Sequence, residues 1–128
     1  MTEHELKQRT KDFALRGLKL IDSLPDTRSG RVLANQLRRS ATSVGANYRA
    51  ACRSRSTAEL ISKFSVVEEE ADESAFWLEL VTDHGLISSD KVAALQREAG
   101  ELTAIMVASR KTLLARNPKS RIENRKSS

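Results

Sequence analysis

Residues Gln36 to Ser56 read QLRRSATSVGANYRAACRSRS. Leu37, Ser40, Ala41, Val44, Tyr48, Ala51 and Cys52 follow one another at steps of mostly three and four, the repeat of an α-helix that buries one face. The same stretch holds five arginines and no acid. A helix with that much fixed positive charge takes its counter-charge from elsewhere, either from acids on a neighbouring helix or from an outside polyanion.

Working outward, the pattern extends back through Leu33, so a helix is expected from Gly30 to about Arg53. Before it, LPDTRSG breaks the periodicity with Pro25 and Gly30. An earlier helix is expected from about Glu3 to Ser23, with Leu6, Phe13, Leu18, Ile21 and Leu24 near a 3.6-residue period. Downstream, Ser56 followed three residues later by Glu59 is the spacing of a capping box and marks the start of a third helix. Its core stripe is expected to be Leu60, Phe64, Val67, Ala71, Ser74, Ala75, Leu78 and Thr82, with Gly85 as a left-handed stop. Ser89 followed by Asp90 is expected to cap a fourth helix, whose stripe is Val92, Leu95, Ala99, Leu102, Met106 and Leu113. That pattern ends at Asn117-Pro118.

Four long helices joined by short connections imply antiparallel neighbours, and therefore an all-α, up-down-up-down four-helix bundle. Residues 1–116 form the expected single domain. Residues 117–128, NPKSRIENRKSS, are polar and basic without periodicity and are expected to be a disordered tail. Aromatics are only 4% of the chain, so the core must rest on Leu, Val, Ala and Ile. The lone Cys52 excludes an intramolecular disulfide, and no Cys or His cluster has metal-ligand spacing. The start MTEHELKQRT has no apolar leader, and no run approaches the roughly 20 apolar residues of a membrane span. A cytoplasmic protein without membrane contact, metal or cofactor is expected.

On a helical wheel Arg31, Arg38, Arg49 and Arg53 gather opposite the apolar face of helix two, forming a ridge about 33 Å long at 1.5 Å per residue. Gln36, Arg39, Ser43 and Asn47 lie between ridge and core, where a neighbouring helix must satisfy them. Glu70 and Glu73 on helix three are the expected partners, with Glu69 beside them. Helix three carries eight acids between Glu59 and Asp83 against one lysine, Lys63. The ridge therefore has two possible destinations: an outside polyanion, or acids of another protein surface, including a second copy. Helix three is also apolar beyond one stripe. Ile61, Val66, Phe76, Trp77 and Leu80 fall outside it, and Phe76, Trp77 and Leu80 are the expected anchors of a homo-oligomer interface.

No catalytic constellation is found. His4 and His84 are isolated, and there is no phosphate-binding glycine loop, nucleophile elbow or di-iron Glu-x-x-His pair. An RNase-like pairing of Arg and His on one helix is missing, because Glu79 to Asp83 precede His84. The acids from Glu68 to Glu73 are spread around the helix axis and do not converge on a cation.

The order Gln36-Leu37-Arg38-Arg39, Ser43-Val44, Asn47, Arg53-Ser54-Arg55-Ser56 resembles the second-helix signature of the 23S rRNA-intervening-sequence proteins, also called S23 ribosomal proteins. EEADESAFWLEL, residues 69–80, is similar to the third helix of one branch of that family. The likeness covers roughly Phe13 to Leu114. It implies an antiparallel four-helix bundle, often assembled as a ring and commonly a pentamer. Genes of some members lie within insertions in bacterial 23S rRNA genes, which implies RNA association. A distantly similar bundle is the accessory protein of diversity-generating retroelements, where a basic pentameric barrel contacts nucleic acid and a reverse transcriptase. Many members carry Glu-Gly where this chain has Ala50-Ala51, which removes a same-helix acid partner from Arg39.

The resulting expectation is a non-enzymatic homo-oligomeric bundle that presents Arg31, Arg38, Arg49 and Arg53, helped by Arg55 and the basic tail, to the phosphates of structured RNA. Arginine suits that task through its planar fork and permanent charge. The alternative expectation is an oligomeric protein-interaction scaffold, an accessory to a protein such as a reverse transcriptase, whose basic face meets acidic protein surfaces.

Overall fold

The computed structural model describes residues 1–116, and the tail expected at 117–128 lies outside the described residues. Four helices follow in order: α1 (Glu3–Asp22), α2 (Arg28–Ala51), α3 (Thr57–Asp83) and α4 (Ser89–Arg116). α2 packs against α1 and α3, α3 packs against α4, and α1 meets α4 more sparsely. Among the described residues the backbones of α1 and α3 do not come close and neither do those of α2 and α4, so those pairs are the diagonals of a four-helix bundle.

The helix starts are set by short polar side chains. Thr2 accepts a hydrogen bond from Glu5 N at 3.1 Å, Thr27 from Gly30 N at 3.0 Å and Ser56 from Glu59 N at 3.1 Å. Each satisfies an amide that the first helical turn leaves unpaired. Glu59 does not complete a capping box on Ser56 itself, because its Oε2 accepts from the amide of Arg55, one residue earlier, at 3.1 Å. Two boundaries differ from expectation. α2 starts at Arg28, so Gly30 lies inside its first turn. A Cβ on Gly30 would stand 2.0 Å from the Pro25 carbonyl oxygen, so this residue serves close approach of the connection and not the stop. α4 starts at Ser89, which places Ser88, not Ser89, at the capping position; the Ser88 hydroxyl holds the Asp90 carboxyl below its usual range. At the other end of that connection Gly85 has φ +75°, the left-handed value expected of a helix stop.

Phe13, Leu37, Val44, Val67, Leu78, Leu102 and Met106 are fully enclosed at the bundle centre. Removing each from water contributes roughly 1.5–3 kcal/mol. Several expected core assignments change; on α3, Val81 is fully enclosed where Thr82 was expected. Leu18 is 37% exposed, and its place toward the core is taken by Gly17. Ile61, expected outside the stripe, is 1% exposed, so the broad apolar surface of α3 is partly needed by the bundle itself. The α1–α2 seam is close because small residues line it. An added Cβ at Gly17 would approach Ala41 Cβ to 2.8 Å, and one at Gly45 would come within 3.2 Å of the Thr10 carbonyl oxygen.

Candidate nucleic-acid interface

The cations of this chain fall into two groups. One group is taken up within the bundle. Arg9 on α1 donates through Nε to Glu98 Oε2 at 2.9 Å, makes a second contact to Glu98 Oε1 and lies 3.6 Å from Glu101. Arg110 on α4 reaches Glu68 Oε1 at 2.8 Å. Arg39 on α2 bridges to Glu70 at 3.2 Å and to Glu73 on α3. Arg39 and both acids keep contact with solvent, so these pairs act more on helix register than on stability.

The rest of the proposed edge network behaves differently. Asn47 turns its amide back to the Ser43 carbonyl, 2.9 Å away on its own helix. Among the described residues, no side-chain hydrogen bond carries Gln36 or Ser43 to α3. The buried polar link between α2 and α3 is instead Ser40 to Ser74, at 2.8 Å. Sequence reasoning placed both serines in the core stripes but had no signal for their pairing, since that depends on how two helices register.

The second group of cations faces outward. Arg31, Arg38, Arg49 and Arg53 are all exposed, and Arg55 is exposed just beyond the end of α2. They do not act as one uniform ridge. Arg31 is drawn to Asp26 at 3.0 Å in the preceding connection. Arg49 and Arg53, one turn apart, turn instead toward α1, where they line a groove of about 530 Å³ with His4, Lys7 and Lys11. Its remaining lining residues are Gln8, Ala14, Thr42, Gly45 and Ala46, so among the described residues no carboxylate lines it. Close packing at Gly45 lets basic side chains from two helices converge over a shallow floor. Lys7 and Lys11 were missed by a reading confined to α2. Their i, i+4 spacing, matching that of Arg49 and Arg53, was the available signal.

Opposite charge collects across the bundle. Glu69, Asp72, Glu79 and Asp83 are exposed on α3, diagonal to α1. The apolar residues of α3 sort by depth. Phe76 is 49% exposed with its ring 5.1 Å from that of Trp77, whereas Trp77 and Leu80 are partly buried against the core. The Trp77 indole Nε1 is buried with no hydrogen-bond acceptor among the described residues. Val32, 60% exposed, and Leu80 line a second shallow depression.

The fold and its acid-free groove define a class, the basic antiparallel four-helix bundles. A family profile described as 23S rRNA-intervening sequence protein matches residues 2–108, and the chain belongs to that family. It is similar to a crystal structure from Bacteroides thetaiotaomicron described as a protein of unknown function from the S23 ribosomal protein family. The two are 29% identical with a TM-score of 0.78, over 83% of this chain and 98% of the other. No curated protein matches the chain. Among the described residues no helix is long and apolar enough to cross a membrane.

Proposed function

We propose that this protein is a non-catalytic, cytoplasmic RNA-associated bundle that works as a homo-oligomer and grips RNA by its phosphates. The observation that carries this reading is the groove between α1 and α2, where Lys7, Lys11, Arg49 and Arg53 converge without a carboxylate. Each helix supplies two cations one turn apart, so the positive charge is held in place by the fold. Such a site binds by counterion release and by backbone shape, not by base sequence. Arg38 and Arg55 extend the basic surface beyond the groove. The family to which the chain belongs supports RNA as the polyanion. The half-exposed Phe76, next to Trp77 and Leu80, supports self-association, and the ring, commonly a pentamer, is the form the family likeness implies.

The experiment is a binding titration with a structured 23S rRNA fragment and an unrelated RNA of equal length, from low to physiological salt. Retained binding at physiological salt supports the reading. Loss of both RNAs there removes it.

A second reading is a protein-interaction scaffold, favoured by the exposed acids of α3 on the far side of the bundle from α1. Opposite faces of opposite charge suit contact between copies or with another protein. Replacing Arg38 and Arg49 with Glu separates the two readings. RNA binding is lost with the assembly intact under the first, and the assembly itself dissociates under the second.

A further inference from the structure

The groove between α1 and α2 has a counterpart on the other flank of α1. A depression of about 490 Å³ opens between the C-terminal half of α1 and the start of α4. Arg16, Lys19 and Lys91 stand over a floor that includes Leu20, Ile87 and Leu95, and among the described residues no carboxylate lines it. Further along the same seam the charge is cancelled, because Arg9 is held by Glu98 and Glu101.

The two depressions are joined by a row on α1. Lys7, Lys11, Leu15 and Lys19 follow at steps of four, so they run obliquely over the exposed side of the helix. Lys7 and Lys11 belong to the first depression and Lys19 to the second. Leu15, between them, is 50% exposed. The row spans about 18 Å at 1.5 Å per residue. Three acids flank it: Glu3 lies exposed one turn before Lys7, Asp12 accepts from Gln8 Nε2 at 2.9 Å, and Asp22 lies exposed beyond Lys19. Among the described residues, none of Lys7, Lys11, Arg16, Lys19, Arg49, Arg53 and Lys91 enters an ion pair.

We infer that the two depressions are the ends of one phosphate track, so that RNA crosses the outer face of α1 from Arg49 and Arg53, over Lys11 and Leu15, to Lys19 and Lys91. The inference rests on the RNA reading of the first depression and extends it to a surface that the arginine-rich helix does not reach. Lysines suit the middle of such a track, because each is a mobile point charge that accepts phosphates in varied geometry. Leu15 offers an apolar contact for a sugar or base edge at the one step of the row without charge. A groove confined to α1 and α2 would leave Lys19 and Lys91 outside the contact.

The test compares salt dependence on the structured 23S rRNA fragment for the full chain and three charge-matched double variants. Arg49 is left unaltered in all of them; the variants are Lys7→Gln with Lys11→Gln, Lys19→Gln with Lys91→Gln, and Arg97→Gln with Lys111→Gln. Arg97 and Lys111 are exposed on α4 and line neither depression. Each double variant removes the same net charge, and helical circular dichroism checks that each folds. Loss of two phosphate contacts lowers the slope of log K against log salt by about 1.5. The expected result is that drop, with at least a fivefold loss of affinity, for the first two variants and little change for the third. If Lys19→Gln with Lys91→Gln behaves like the α4 pair while Lys7→Gln with Lys11→Gln weakens binding, the track is wrong and the single groove stands. If the unaltered chain fails to hold RNA at physiological salt, both readings fall together.

Discussion

Ser40 and Ser74 meet hydroxyl to hydroxyl at 2.8 Å, fully enclosed between α2 and α3. Ser74 is also 2.9 Å from the Glu70 carbonyl oxygen, so either serine alone retains some local satisfaction. Ser40→Ala is expected to cost about 1 kcal/mol, the usual net worth of such a bond. Adding Ser74→Ala should cost less than the sum of the single changes, since an apolar pair leaves neither hydroxyl stranded. Urea unfolding of the four members of the cycle measures the coupling.

Gly17 is fixed by Ala41. A methyl group at residue 17 would sit 2.8 Å from the Ala41 Cβ, closer than two helices can tolerate without separating. Gly17→Ala should therefore destabilise by about 1–2 kcal/mol through overpacking, despite the better helix propensity of alanine. Combining it with Ala41→Gly moves the methyl group across the seam. The double variant should return close to the original midpoint in urea, and failure to do so would place the constraint elsewhere.

Phe76 offers the cleanest probe of self-association because it is half exposed, whereas Trp77 and Leu80 help close the core. The unaltered protein is expected to sediment at micromolar concentration as one species larger than a monomer. Phe76→Glu should shift it toward the monomer while helical circular dichroism is kept. Trp77→Glu should instead lower the thermal midpoint, as it places a charge against buried apolar surface. A monomeric unaltered protein would remove the oligomer from the functional reading.

Tyr48 gives a prediction at alkaline pH. Burial is the main reason its phenol ionises well above the usual range, with smaller contributions from Cys52 and Glu3. A group whose folded pKa is raised contributes stability that is fully present below its unfolded value, about 10, and is lost as pH climbs toward the folded one. Tyr48→Phe should therefore gain on the unaltered protein progressively above about pH 10. Denaturant unfolding at pH 8, 10 and 11 measures the difference, and a constant gap would contradict it.

Arg31 and Arg49 should differ in their effect on RNA. Arg31 already has Asp26 at 3.0 Å, while Arg49 shares an acid-free groove with Lys11. Arg49→Glu should weaken binding to the structured RNA about tenfold or more at low salt, because it adds repulsion to the lost contact. Arg31→Glu should do less. Filter retention or fluorescence anisotropy at matched salt compares them, and equal losses would favour a diffuse field over a defined groove.

Much of this fold was legible in local pattern. Spacing of Leu33, Leu37, Val44 and Tyr48 placed α2, the break at Pro25 and Gly30 set its start two residues late, and Ser56 and Ser89 marked the starts of α3 and α4 to within one position. The basic character of α2 was equally plain, and so were Glu70 and Glu73 as acids within reach of Arg39. What escaped notice was the company those groups keep. Lys7 and Lys11 are scattered surface residues in the sequence, and become part of one groove only when α1 lies against α2 at Gly45. Leu18 and Ile61 were misjudged for the same reason, since close approach and depth depend on both partners of a seam.

The sequence by itself determined four amphipathic helices, their order and short connections, and an arginine surplus on the second, because periodicity, caps and charge are properties of consecutive residues. Only the tertiary structure decided which cations are cancelled and which stay available. Arg9, Arg39 and Arg110 find carboxylates 31 or more positions away, whereas Arg49 and Arg53 face Lys7 and Lys11. Electrostatic pairing acts through distances of a few ångströms, and those are set when helices pack, not when residues follow one another along the chain.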